Sequence, residues 1–134
     1  MKNIKAFILS LIALTVFTAC GIREDELSTD PFVGSWNWVA TTGGISNITD
    51  TPASTGIQRT ITFTDTYIYT VKENGITVSE GTYNLTKGVT PSEHKEMLFI
   101  DFSNYSDVFV DGIDASNLYL GDHTYDGYSY HYKR

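Results

Sequence analysis

The chain contains one cysteine, Cys20, so it excludes an internal disulfide framework. It has no apolar stretch near the roughly 20 residues that a spanning helix needs. Its longest uncharged apolar run, residues 6–17 (AFILSLIALTVF), has 12. Positive charge is scarce: 9 Lys and Arg stand against 16 Asp and Glu, a net of −7. That balance argues against nucleic acid as a partner and against recognition of anionic lipids through basic clusters. From residue 32 onward no window shows sustained helical periodicity. His94, His123 and His131 form no H-x-H, HExxH or Cys-His spacing, so no metal site is expected. There is no G-x-S-x-G elbow, and Gly43-Gly44 leads into polar loop rather than a helix, which leaves no phosphate cradle. These absences predict a chain without cofactor and without catalysis.

What is present begins at the N-terminus. Lys2 and Lys5 precede the 12-residue apolar run, and the small residues Thr18-Ala19 follow it. This is the layout of a secretory signal; the alternative is a buried helix of the folded domain. An unpaired thiol in an exported protein needs an explanation. Phe17-Thr18-Ala19-Cys20 resembles the lipobox of bacterial lipoproteins, with Phe17 where that family usually has Leu. The resemblance implies a diacylglyceryl group on the Cys20 thiol, cleavage before Cys20 and an acylated amine. More than one acyl chain gives stable membrane attachment.

Residues 21–31 (GIREDELSTDP) are polar and acidic. One reading is a solvated tether. The other rests on Arg23, Glu24, Asp25 and Glu26, which resemble the acidic export signal of surface lipoproteins in the Bacteroides group. That resemblance implies the outer face of the outer membrane; the tether reading leaves the periplasmic face open. Loss of the leader removes Lys2 and Lys5 and leaves 7 basic against 16 acidic residues, a net of −9. The expected organisation is a signal peptide at 1–19, a lipidated Cys20 with acidic tether at 20–31, and a folded domain at 32–134.

The folded part alternates apolar and polar residues and is rich in Tyr, Thr, Ile, Val and Phe, the pattern of half-buried strands. Eight strands are expected, near 33–41, 57–64, 67–73, 76–85, 96–103, 107–111, 116–120 and 127–133. Asn74-Gly75 marks a two-residue hairpin. Asp65-Thr66, Asp111-Gly112 and Asp126-Gly127 mark further turns. Short links favour antiparallel neighbours in a meander. Eight such strands suggest a small all-β antiparallel barrel, with a two-sheet sandwich as the alternative. About 103 residues suggest a mostly filled interior with at most a shallow pocket at one mouth.

Gly34-Ser35-Trp36 resembles the opening signature of lipocalins and related calycins. In that family the tryptophan plugs one barrel end and a basic residue of the last strand lies across it. Tyr128, Tyr130, Tyr132 and Arg134 share one face by period two, which makes Arg134 the better partner for Trp36, with Arg59 as the alternative. The loop at 41–56, the Asn-Gly hairpin and the C-terminal YDGYSYHYKR together resemble small lipocalin-like lipoproteins of the Bacteroides group. The chain is shorter than typical lipocalins and lacks their disulfides.

Candidate sites follow. Residues 42–56 form a long connection of the kind that covers a cavity mouth, with Ile45 and Ile48 as apolar anchors. Trp38, Tyr128 and Tyr130 join them as the expected ligand mouth. Trp36, Tyr67, Tyr69, Tyr119 and Tyr125 are core or cross-strand aromatics, or stack on a sugar. Glu80, Asp101, Asp111 and Asp114 are read as turn and rim carboxylates rather than a glycosidase pair. The expected function is a monomeric, outer-membrane-anchored binding module for a small apolar or glycan-derived ligand. The alternative is an accessory protein that acts on a partner protein through its loops.

Overall fold

A computed structural model describes residues 27–91 and 93–134. The signal segment, Cys20 and the tract Arg23, Glu24, Asp25 and Glu26 lie outside the described residues.

The strands are β1 (Gly34–Gly43), β2 (Ile48–Asp50), β3 (Arg59–Phe63), β4 (Ile68–Glu73), β5 (Ile76–Val89), β6 (Glu96–Phe102), β7 (Val108–Ile113), β8 (Asn117–Asp122) and β9 (Tyr128–Lys133). Neighbours run β2-β1-β3-β4-β5-β6-β7-β8-β9, and β1 also pairs with β9. All pairings are antiparallel. Eight of the strands therefore close into a barrel, and the sandwich alternative falls away. Closure follows from the β1–β9 seam, which runs from Asn37↔Lys133 to Gly43↔Tyr128 and satisfies backbone groups that an open sheet would leave at its edges.

Eight strands lie where the alternation places them, and two elements are additional. The connection after β1 folds back as β2 and then forms one helical turn, α1 (Pro52–Thr55). Thr51 caps that turn reciprocally with Ser54, and Gly56 ends it at φ 71°. Strand β5 runs to Val89, beyond the expected 85, because 86–89 pair with 96–99. At the Asn74-Gly75 hairpin both residues have positive φ, 49° and 81°, which a tight hairpin requires.

Three bulges shape the barrel. Val39, Val78 and Asp111 are each the extra residue between consecutive pairs on the opposite strand. A bulge reverses which side chains face inward. Trp36 and Trp38 face the core before Val39, and Thr41 is the buried residue after it. Val108 and Val110 are buried before Asp111, and Ile113 packs against the core after it.

The core is aromatic. Phe63 meets Phe32, Tyr83 and Phe102 with ring centroids 6.1, 5.0 and 6.2 Å away, and Tyr69 meets Phe102 edge-on at 4.6 Å. The segment before β1 belongs to this unit. Leu27 packs against the core, Thr29 is buried and Phe32 is fully enclosed. Residues 27–31, assigned to the tether from sequence, thus lie on the barrel. Residues 27–134 carry every strand among the described residues, and their core, a unit that closes on itself.

Candidate functional site

The two barrel ends differ in construction. At one end β1 begins, β3 and β9 finish, and the chain arrives from Leu27. Trp36 is completely buried there, and its Nε1 donates to the Phe32 carbonyl at 2.8 Å. The Arg134 guanidinium lies 4.1 Å over the Trp36 ring. Arg134 also donates to the carbonyls of Ala115 (2.9 Å), Val33 (2.9 Å) and Pro31 (3.3 Å). One side chain thereby ties the incoming segment, the β7–β8 turn and the plug together. Gly34, at φ 122°, turns the chain into β1 beside this guanidinium. Arg59, the alternative partner for Trp36, lies instead 5.0 Å over Trp38.

At the opposite end the barrel holds a cavity of about 330 Å³. Ile61, Tyr69, Phe102, Val108 and Leu120 form its depth, and Val71, Tyr130 and Tyr132 its walls. Arg59, Glu73, Val78, Ser79, Asn104 and Tyr105 surround the opening. The wall's polar atoms are held by the protein: Tyr69 and Ser79 share a hydrogen bond of 3.0 Å, and Tyr130 Oη donates to Asp122 Oδ2 at 3.2 Å. Asn104 Nδ2 donates to the Glu80 carbonyl at 2.8 Å.

One ion pair stands at the opening. Arg59 opens β3 and Glu73 closes β4, and they face each other in register. Arg59 Nε donates to Glu73 Oε1 at 2.8 Å, and Nη2 lies 2.6 Å from the same oxygen. Burial pulls the Arg59 pKa down, but the Glu73 hydrogen bond and the neighbouring Tyr132 and Glu73 outweigh it, so the guanidinium stays charged. The Tyr132 hydroxyl beside it is pushed up to about 12, chiefly by burial. Burial, then the Asp122 carboxylate, raises Tyr130 as well.

These tyrosines give the barrel an alkaline limit. An unfolded tyrosine loses its proton near pH 10, whereas folded Tyr132 holds its proton to about pH 12. Above pH 10 the unfolded chain binds fewer protons, so stability falls by about 1.4 kcal/mol per pH unit for each such group. Urea midpoints measured from pH 8 to 11.5 are expected to be flat to pH 10 and to drop beyond it. Tyr132→Phe is expected to lessen the drop; an identical drop in that variant would rule out Tyr132 as its source.

The residues proposed from sequence for a ligand mouth are not gathered in one place. Tyr130 lines the cavity. Trp38 is buried behind Arg59, with its Nε1 donating to Thr41 Oγ1 at 2.9 Å. Ile45 is 90% exposed at the β1–β2 turn and Ile48 is half-exposed; neither lines the cavity. Tyr128 lies against Gly44 at the β1–β9 seam. Among the carboxylates, Asp114 accepts from the backbone N–H groups of Ser116 and Asn117, which holds its pKa below the usual value, and Asp101 accepts from Thr86. His131 stacks on Tyr119 with centroids 4.4 Å apart, and His123 meets Phe99 edge-on at 4.9 Å. Among the described residues no group of three His, Cys, Asp or Glu could hold a metal ion.

Sequence reasoning missed the Arg59–Glu73 pair, Tyr105 and Phe102 as cavity residues. For the pair the signal was one residue off: counting outward from a two-residue Asp65-Thr66 turn sets 59 opposite 72, and Tyr67, at φ 61°, lengthens the turn and brings 59 opposite 73. For Tyr105 there was none, because the β6–β7 loop carries no periodicity that aims a side chain. Comparison with known proteins finds no family model, no curated protein and no solved structure that matches the chain.

Proposed function

We propose that this chain is a non-catalytic, lipocalin-like binding barrel that takes a small, largely apolar ligand through its open end. The cavity carries the reading. Its volume of about 330 Å³ lies at the small end of ligand-binding pockets. Its depth is lined by aromatic and aliphatic side chains, the Tyr69 and Tyr130 hydroxyls are engaged by Ser79 and Asp122, and the charged groups stand at the opening. That distribution suits a compact apolar body with one polar end.

The anchoring proposal rests on the residues before the barrel. Lipidation at Cys20 would hold the protein to the outer membrane, with residues 23–26 directing it to the cell surface. The chain reaches the barrel at the Trp36 end, and residues 21–26 extend at most roughly 20–22 Å. The plugged end would therefore face the membrane and the cavity would face away from it. Barrel closure leaves no long free sheet edge, which supports a monomer.

A second reading has its own support. Ile45, Tyr105 and Tyr125 on turns and loops, and Ile76 and Val78 at the start of β5, are exposed at the cavity end. An apolar rim of this kind favours docking of a partner protein through the loops.

Native mass spectrometry of the barrel domain, purified from its own source, tests the first reading. A retained small molecule is expected, and its mass identifies the ligand class. A domain that arrives bare, and takes up nothing from a lipid and glycan extract, would overturn the ligand reading in favour of the partner one.

A further inference from the structure

The charged pair at the opening has an asymmetry that bears on what enters. Both Arg59 contacts, from Nε and Nη2, go to a single oxygen, Oε1 of Glu73. Among the described residues Oε2 accepts no hydrogen bond, and the guanidinium keeps N–H groups that Glu73 does not use. The pair is fixed from behind by Trp38 under the guanidinium, and from the side by the neighbouring Tyr132 hydroxyl. An acceptor that Arg59 does not use, and guanidinium N–H groups beyond those directed to Glu73 and to the Tyr132 hydroxyl, therefore stand together at the mouth of an apolar cavity, on a pair whose net charge is zero.

We propose that the Arg59–Glu73 pair makes the cavity selective for amphiphiles with an uncharged hydrogen-bonding head, such as a hydroxyl or an amide. This rests on the binding-barrel reading above. A neutral head gives its proton to Oε2 and accepts from the guanidinium, replacing the hydrogen bonds it had in water. A carboxylate is attracted by Arg59 but repelled by Glu73 at nearly the same distance, and it gives up more hydration on entry. An ammonium meets the same balance with the signs reversed. Glu73 is thus a specificity residue that acts by excluding anions, which an unpaired Arg59 would attract.

The test uses three probes with one nine-carbon chain: 1-nonanol, nonanoate and nonylamine. Each is titrated calorimetrically at pH 7.5 into the chain from residue 21 onward, which keeps every strand and the core. Salt near 0.15 M screens the net charge of the whole molecule, so that the comparison reports the local pair. Nonanol is expected to bind at least tenfold more tightly than nonanoate or nonylamine. In Glu73→Gln the ratio of nonanoate to nonanol affinity is expected to rise at least tenfold, and in Arg59→Gln the ratio of nonylamine to nonanol likewise. Nonanoate binding as tightly as nonanol in the unaltered chain overturns the selectivity while leaving the binding barrel intact. Unchanged ratios in both variants remove the pair as its source. Binding by none of the three overturns the barrel as an amphiphile binder, and the selectivity with it.

Discussion

Trp36→Ala is expected to cost about 3–5 kcal/mol of folding stability, the range for deleting a fully enclosed aromatic side chain. A domain of this kind has about 5–15 kcal/mol in total, so the change removes roughly a fifth or more of it. Trp36 has no exposed surface, so the surrounding side chains cannot relax into solvent to fill the void. Two further losses add to the cavity. The Phe32 carbonyl loses its indole donor, and the Arg134 guanidinium loses the ring beneath it. Arg134 also bonds the carbonyls of Pro31, Val33 and Ala115, so the change loosens a brace between the incoming segment and the β7–β8 turn. Urea unfolding followed by Trp38 fluorescence measures the effect. A loss under about 1 kcal/mol would show that the plug is not a main source of stability.

Cys20→Ala is expected to release the protein from membranes almost completely. Two or more acyl chains on one residue hold a protein stably. Among the described residues no helix is long and apolar enough to cross a membrane, and the negative net charge repels anionic surfaces. Fractionation with a carbonate wash distinguishes the outcomes: the unaltered chain in the pellet and the variant in the supernatant. A variant that stays in the pellet would refute lipid anchoring at Cys20. Alanines at 23–26 are expected to keep the anchor and lose surface display. Removal of that variant by protease added to intact cells would reduce the acidic tract to a tether.

The strands were legible in the sequence because a half-buried strand writes its burial into every second residue. Ile61 and Phe63 in β3, and Leu118 and Leu120 in β8, are buried at alternate positions. Asn74-Gly75 was legible because few residue pairs accept positive φ twice. The bulges were not. Nothing about Val39, Val78 or Asp111 as residue types sets them apart, and each exists because the opposite strand is one residue shorter at that level. The loop at 42–56 was legible as a long connection, but its return as β2 depends on β1 offering Thr41, Thr42 and Gly43 as partners.

The sequence by itself determined eight of the strand segments, their antiparallel succession and the face of β9 that carries Tyr130, Tyr132 and Arg134. All of these depend on period-two burial and on turns whose conformations few residues allow. Only the tertiary structure decided that the sheet closes, that Arg134 rather than Arg59 covers Trp36, and that Arg59 and Glu73 meet at the mouth of a cavity. Closure and cavity are properties of many strands at once. Strand stagger and bulge positions set which side chains share a level inside the barrel, and no local stretch of sequence contains that sum.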